Sequence, residues 1–216
     1  TIASYWSAFL GTLHAAHRDR KIKENPCPYL ERVKTIPTDR VGLSAEELIQ
    51  LAETPCDVPI LRTAFLFSCL TGLRKSDVKP FSWELIQPEA DGTLYITDRM
   101  QKTDQIVHNP IGEEALALID DGIREGIVFR GFKDSMTQAP LKRWVKAAGI
   151  TKHITYHSSR HTFCSLQLHA GTDVNTVKEL VGHKNISTTQ QYLDSVDSRK
   201  KDAANRITIK RKEEHP

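Results

Sequence analysis

Cysteine is scarce in this 216-residue chain, and its four examples, Cys27, Cys56, Cys69 and Cys164, form no CxxC pair. That removes zinc-finger spacing and the cysteine density of small secreted scaffolds. Cys69 and Cys164 sit in apolar stretches and read as small buried hydrophobes, which fits a reducing cytosol. Long hydrophobic runs are missing too. The longest nearly apolar stretch, residues 63–73, has 11 residues and is too short to span a bilayer. The opening TIASYWSAF has no charged segment followed by an apolar one, so no secretory signal is expected. It starts on Thr1 rather than methionine, as a piece of a longer protein would. Eleven glycines and ten prolines are too few for a collagen-like or low-complexity chain. What is present, 39% hydrophobic and 26% charged residues, is the composition of a soluble globular protein of about one and a half domains.

The net charge of +3 hides an asymmetry. Residues 1–40 carry seven basic and four acidic side chains, residues 41–150 twelve and sixteen, and residues 151–216 eleven and seven. Basic ends around an acidic middle fit a grip on a polyanion, but solvated faces are the more ordinary reading of such charge; charge does not decide the question.

Residues 2–20 place Ile2, Trp6, Phe9, Leu10 and Leu13 at helical spacing, an amphipathic helix whose apolar face belongs against a missing domain. Residues 24–40 contain three prolines and no period, the mark of a linker. Ser44 with Glu47 forms a capping box that predicts a helix to about Glu53. Residues 58–71 predict a buried helix stopped by Gly72. Three short β-like runs follow, at 83–87, 93–97 and 105–109. Helices are then expected at about 112–122, 137–148, 157–170, 174–181, 188–194 and 197–207. The fold class is therefore α+β, mainly helical with a small three-stranded antiparallel sheet.

Three segments carry candidate chemistry. In TGLRKSD, residues 71–77, Arg74 falls at a helix start, where a guanidinium and backbone N–H groups both favour an anion; a plain surface arginine fits as well. In HSSRHTF, residues 157–163, His157 and Arg160 are three apart on the predicted helix and so share a face. His157 and His161 are four apart, a spacing open to a metal, but no HExxH is present and no acid lies in the segment. Arginine beside histidine suits a phosphate, one neutralising oxygens while the other moves a proton. In GHKNISTTQQY, residues 182–192, Gly182 closes a helix and Ser187 reads as the cap of the next. Tyr192 is either a half-buried aromatic or a phenol that attacks phosphorus once deprotonated.

Taken together, Arg, HxxR, GH and Tyr in this order resemble the tyrosine recombinases, the phage-integrase family. The resemblance runs over residues 40–200 through LSAEEL, TGLRKSD, SWELI, a QKT hairpin, HSSRHTF and ELVGHKNISTTQQY, with His183 and Tyr192 at the family's interval of nine. It implies domains: residues 1–23 as the last helix of a core-binding, SAM-like domain, 24–40 as linker, 41–196 as the catalytic domain, and 197–216 as a helix or tail for subunit contacts, where Ala203, Ala204 and Ile207 form a small apolar face.

It also implies roles. Arg74 and Arg160 bracket the scissile phosphate, Tyr192 attacks it to leave a 3′-phosphotyrosine, and Lys102 protonates the departing 5′-oxygen. His157 is the acid/base histidine, His183 hydrogen-bonds the phosphate, and Asp77 supports the site structurally. No metal and no cofactor is implied. The implied partners are double-stranded recombination sites, a homotetramer on paired sites and accessory DNA-bending or directionality proteins, with no membrane, in a bacterial cytoplasm at the nucleoid.

Two fixed arginines neutralise the charge that develops on phosphorus oxygens, which makes the metal-free reading physically consistent. Ser159 and Asp104 depart from the residues usual at those positions, and His161 has no role beyond that of a supporting or core histidine. A non-catalytic DNA binder, a type IB topoisomerase and a metal-dependent nuclease are the competing readings.

Overall fold

The computed structural model describes residues 2–31, 33, 41–99, 106–183, 185–190 and 192, and the chain divides into two units, Thr1–Asp39 and Arg40–Pro216. In the first unit helix α1 covers Ile2–Arg18, with the Trp6 and Phe9 rings 5.6 Å apart, while Ile2 and Tyr5 stay exposed. It ends two residues before the expected boundary, where Arg20 takes a positive φ of 56°. A single 3-10 turn, Cys27–Tyr29, forms within the proline-rich stretch.

The second unit starts with the capping box. Ser44 Oγ accepts the Glu47 N–H at 3.2 Å and Glu47 Oε2 accepts the Ser44 N–H at 2.7 Å, which opens α2 (Ala45–Glu53). Just before it, the Leu43 N–H donates to Thr162 Oγ1 at 2.9 Å, so the chain enters this unit pinned to the helix that carries HSSRHTF.

Helix α3 (Pro59–Thr71) begins with Pro59, whose missing N–H costs nothing in a first turn. It is the axis of the core: Leu61, Ala64, Phe65, Phe67 and Cys69 are almost wholly buried. Phe67 packs with Phe81 and Phe129, and Phe65 meets Trp144 and Tyr156 edge-on. The buried polar tips find carbonyls: Tyr156 Oη donates to Ala64 and Trp144 Nε1 to Thr54. Burying four phenylalanine-sized side chains at ~1.5–3 kcal/mol each makes this cluster the main source of stability.

Short α4 (Lys75–Val78) leads to strands β1 (Ile86–Pro88), β2 (Leu94–Arg99) and β3 (Ile106–Pro110), an antiparallel sheet in chain order with Ile96 opposite both Ile86 and Asn109. The first strand starts three residues later than the alternation suggests. Residues Trp83–Leu85 form a 3-10 turn instead, because the Trp83 N–H is taken by Gly126 and Ser82 bridges to Ile127. Helices α5 (Glu113–Ile119), α6 (Ala139–Ala147), α7 (Ser158–His169), α8 (Val174–Leu180) and α9 (Ser187–Gln190) follow. Ser187 is the first residue of α9 rather than its cap, and the expected helix at 197–207 lies outside the described residues. A second, smaller cluster of Phe163, Cys164, Leu168, Val177, Val181 and Tyr192 joins α7, α8 and the segment after α9. Among the described residues no helix is long and apolar enough to cross a membrane.

Candidate active site

Two helix endings build the site. Helix α3 stops at Gly72, whose φ of 71° is the left-handed conformation that only glycine adopts freely. A Cβ there would lie 2.6 Å from Phe163 Cδ1 and 2.9 Å from Val181 Cγ1, so the position also demands the smallest residue. Helix α8 stops in a Schellman motif: the Gly182 N–H donates to Glu179 and the His183 N–H to Lys178, with Gly182 at φ 58°. The glycine–histidine pair is thus a helix terminator, and it places His183 one step past the turn.

Arg160, in the first turn of α7, spans both endings. Its Nη1 donates to the Gly72 carbonyl at 2.8 Å and its Nη2 to the Val181 carbonyl. These are C-terminal carbonyls of α3 and α8, where orphan acceptors and the negative end of the helix dipole favour a cation. The residue is 2% exposed, and burial pushes its guanidinium down to about 10, helped by the neighbouring charge of Arg74 and opposed by Cys164, Tyr192 and Asp77. It stays charged at neutral pH.

Arg74 is the N-cap residue of α4. Its Nη1 is 4.0 Å from the carboxylate of Asp77, which is fully buried. Burial lowers the Arg74 guanidinium, and Asp77 counters that. Nη1 of Arg74 is sealed from water and has no hydrogen-bond acceptor among the described residues. Such an orphan donor opposes folding by ~1–3 kcal/mol unless a bound group accepts from it.

Tyr192 is 4% exposed in the second cluster, and its N–H is held by the Thr189 carbonyl. Its phenol oxygen is 2.5 Å from His161 Nδ1. The rings of His157 and His161, one turn apart on α7, meet edge-on with centroids 4.6 Å apart. His157 precedes α7 and is exposed, whereas Arg160 is buried, so the two do not share one environment as their spacing suggests. His183 Nδ1 bonds Thr189 Oγ1 at 2.8 Å, and its ring lines an open depression of about 310 Å³ with Lys178 and the β3 residues Val107 and Asn109. Asn109 donates to the Leu180 carbonyl at 2.6 Å, which ties the sheet to the end of α8.

Arg74, Asp77, Arg160 and Tyr192 therefore converge, with His157 beside Tyr192 through His161 and His183 on the same helix ending that holds Arg160. Lys102 lies outside the described residues. His161 is the residue that sequence reasoning undervalued, since its contact joins positions 31 apart and no local spacing announces it.

The model of the phage integrase family matches residues 43–199. The XerC tyrosine recombinase of Xanthomonas campestris pv. campestris (strain B100) is 29% identical over 164 residues, which cover 69% of this chain and 50% of that protein. The chain spans about half the length of such curated relatives. Its fold is similar to a lambda integrase (75–356) dimer bound to a COC′ core site, with a TM-score of 0.69 at 20% identity over 96% of this chain and 75% of that one. It is similar also to the catalytic domain of bacteriophage HP1 integrase, with a TM-score of 0.57 at 21% identity over 78% and 95%.

Proposed function

The chain belongs to the phage integrase family, and from that premise we propose that it is the catalytic part of a site-specific recombinase that cleaves and rejoins double-stranded DNA. The observation that carries this reading is a pair of guanidiniums near a phenol, the buried Arg160 fixed by two helix ends and the partly buried Arg74 with a sealed donor left open. An anion placed there satisfies Arg74 and relieves the repulsion between the two cations. A phosphodiester brings one negative charge and gains more on its equatorial oxygens during attack, which fixed donors in a dry site stabilise.

Tyr192 attacks phosphorus and forms a 3′-phosphotyrosine, with Arg74 and Arg160 on the non-bridging oxygens. His157 handles protons, His183 bonds the phosphate, Lys102 protonates the 5′-oxygen, and Asp77 holds Arg74. The covalent link conserves the bond energy, so rejoining needs no nucleotide. Residues 1–23 are the end of a core-binding domain, 24–40 the linker, 41–196 the catalytic domain and 197–216 the subunit-contact tail. The working form is a homotetramer on paired sites, assisted by DNA-bending or directionality proteins, in the cytoplasm at the bacterial nucleoid.

The test is covalent trapping. The chain incubated with nicked DNA from the boundaries of its host element should yield an adduct stable to SDS, and Tyr192→Phe should yield none while binding DNA within a few-fold. An adduct that persists in Tyr192→Phe places the nucleophile elsewhere.

A further inference from the structure

We propose that His161 is the proton acceptor for the Tyr192 nucleophile. The inference rests on the reading of Tyr192 above and moves the phenol's proton from His157, where the family resemblance puts it, to His161. A phenol loses its proton near pH ~10, so at neutral pH attack on phosphorus needs a base within hydrogen-bond reach of the oxygen. His161 Nδ1 is at that place, 2.5 Å from Oη.

The surroundings favour the transfer. Tyr192 is 4% exposed and His161 half-buried, so water competes poorly for the proton. The nearby charge of Arg160 favours the phenolate, since the two groups interact electrostatically. The His161 ring has a fixed bearing because the first turn of α7 is anchored behind it: Thr162 Oγ1 bonds the Ser158 carbonyl at 2.8 Å and accepts the Leu43 N–H. A Cβ on Gly42 would lie 3.1 Å from the His161 carbonyl carbon, so the backbone of the incoming chain closes that side. The exposed ring of His157 meets the His161 ring edge-on.

The step balances without any further reactant. His161 carries its hydrogen on Nε2, leaving Nδ1 as acceptor. As the Oη–P bond forms and the P–O5′ bond breaks, the phenol proton passes to Nδ1 and gives imidazolium, while O5′ takes a proton from the acid assigned to Lys102. In rejoining, the O5′ hydroxyl returns its proton to the acid assigned to Lys102 as O5′ attacks phosphorus, Oη departs, and Nδ1 returns its proton to Oη.

Four measurements test this on the full chain, using a duplex that carries the junction first mapped with the unaltered protein. Nitrogen-15 spectra of histidine-labelled protein should show His161 with Nδ1 unprotonated; a hydrogen on Nδ1 overturns the proposal without any variant. His161→Ala should slow adduct formation by ~10²–10⁴-fold, the size of base catalysis, and added imidazole should restore part of the rate. The loss should be equal on a 5′-bridging phosphorothiolate, because sulfur relieves the leaving group and not the nucleophile. His161→Asn keeps a hydrogen-bonding group near the phenol but no base, and should be as slow as alanine while melting within a few degrees of the parent. A His161→Asn rate near the parent's, or a defect erased by sulfur, removes His161 from the nucleophile's side. An adduct in Tyr192→Phe would be a separate result, the failure of the nucleophile assignment itself.

Discussion

Sealing a guanidinium from water opposes folding, and Arg160 meets that opposition with two helix-end carbonyls. The remaining penalty has a definite pH dependence. A cation whose titration falls to about 10 in the folded state destabilises the fold at every pH below 10, and the penalty is relieved as pH rises from there toward the ordinary guanidinium value. The protein therefore keeps a charged Arg160 at the expense of stability, which makes sense for a group that works on an anion. Arg74→Ala and Arg160→Ala should each lose ~3–4 kcal/mol of transition-state stabilisation, read as single-turnover adduct formation. Lysine at either position should not rescue fully, because the planar fork is lost, and at Arg160 that fork reaches two carbonyls at once. Near-parental cleavage by either alanine variant would dissolve the clamp. Arg74, Arg160 and Tyr192 were legible because each sits in a short motif of constrained spacing. The Tyr192–His161 contact was not, since it depends on how the segment after α9 returns to α7.

At the scale of elements, the candidate site is a by-product of how α3 and α8 end. Gly72→Ala should cost ~2–4 kcal/mol, combining left-handed backbone strain with crowding of the Cβ against Phe163 and Val181. Its effect on adduct formation should exceed what partial unfolding explains, because the Gly72 carbonyl orients Arg160. Thermal melting and cleavage measured on one preparation check both halves. A melting temperature unchanged by the substitution would mean that the turn is not required. These terminators, like the Ser44–Glu47 box, are written in a few adjacent residues and read out directly. The 3-10 turn at Trp83–Leu85 was missed for the opposite reason: its bonds go to Gly126 and its neighbour Ser82 pairs with Ile127, some forty residues away.

At the scale of the whole molecule, the buried hydrophobic residues among those described fall into two clusters of unequal size, a partition no periodicity reveals. The larger surrounds α3; the smaller contains Tyr192 and is built from α7, α8 and the residues after them. Tyr192 thus depends on the lesser of the two cores. Deleting residues 197–216 should abolish assembly on paired sites, as gel filtration of the DNA complex would register, while leaving the melting temperature within a few degrees. Unimpaired assembly would assign subunit contacts to another surface. The bond from the Leu43 N–H to Thr162 Oγ1 has a use of its own. That amide is protected by a side chain two residues beyond Arg160, not by a helix or sheet ladder, so its hydrogen exchange does not report on regular structure. It reports on one event, the lifting of α7 from the incoming chain, and so supplies a clock, already in the backbone, for how often these two segments come apart.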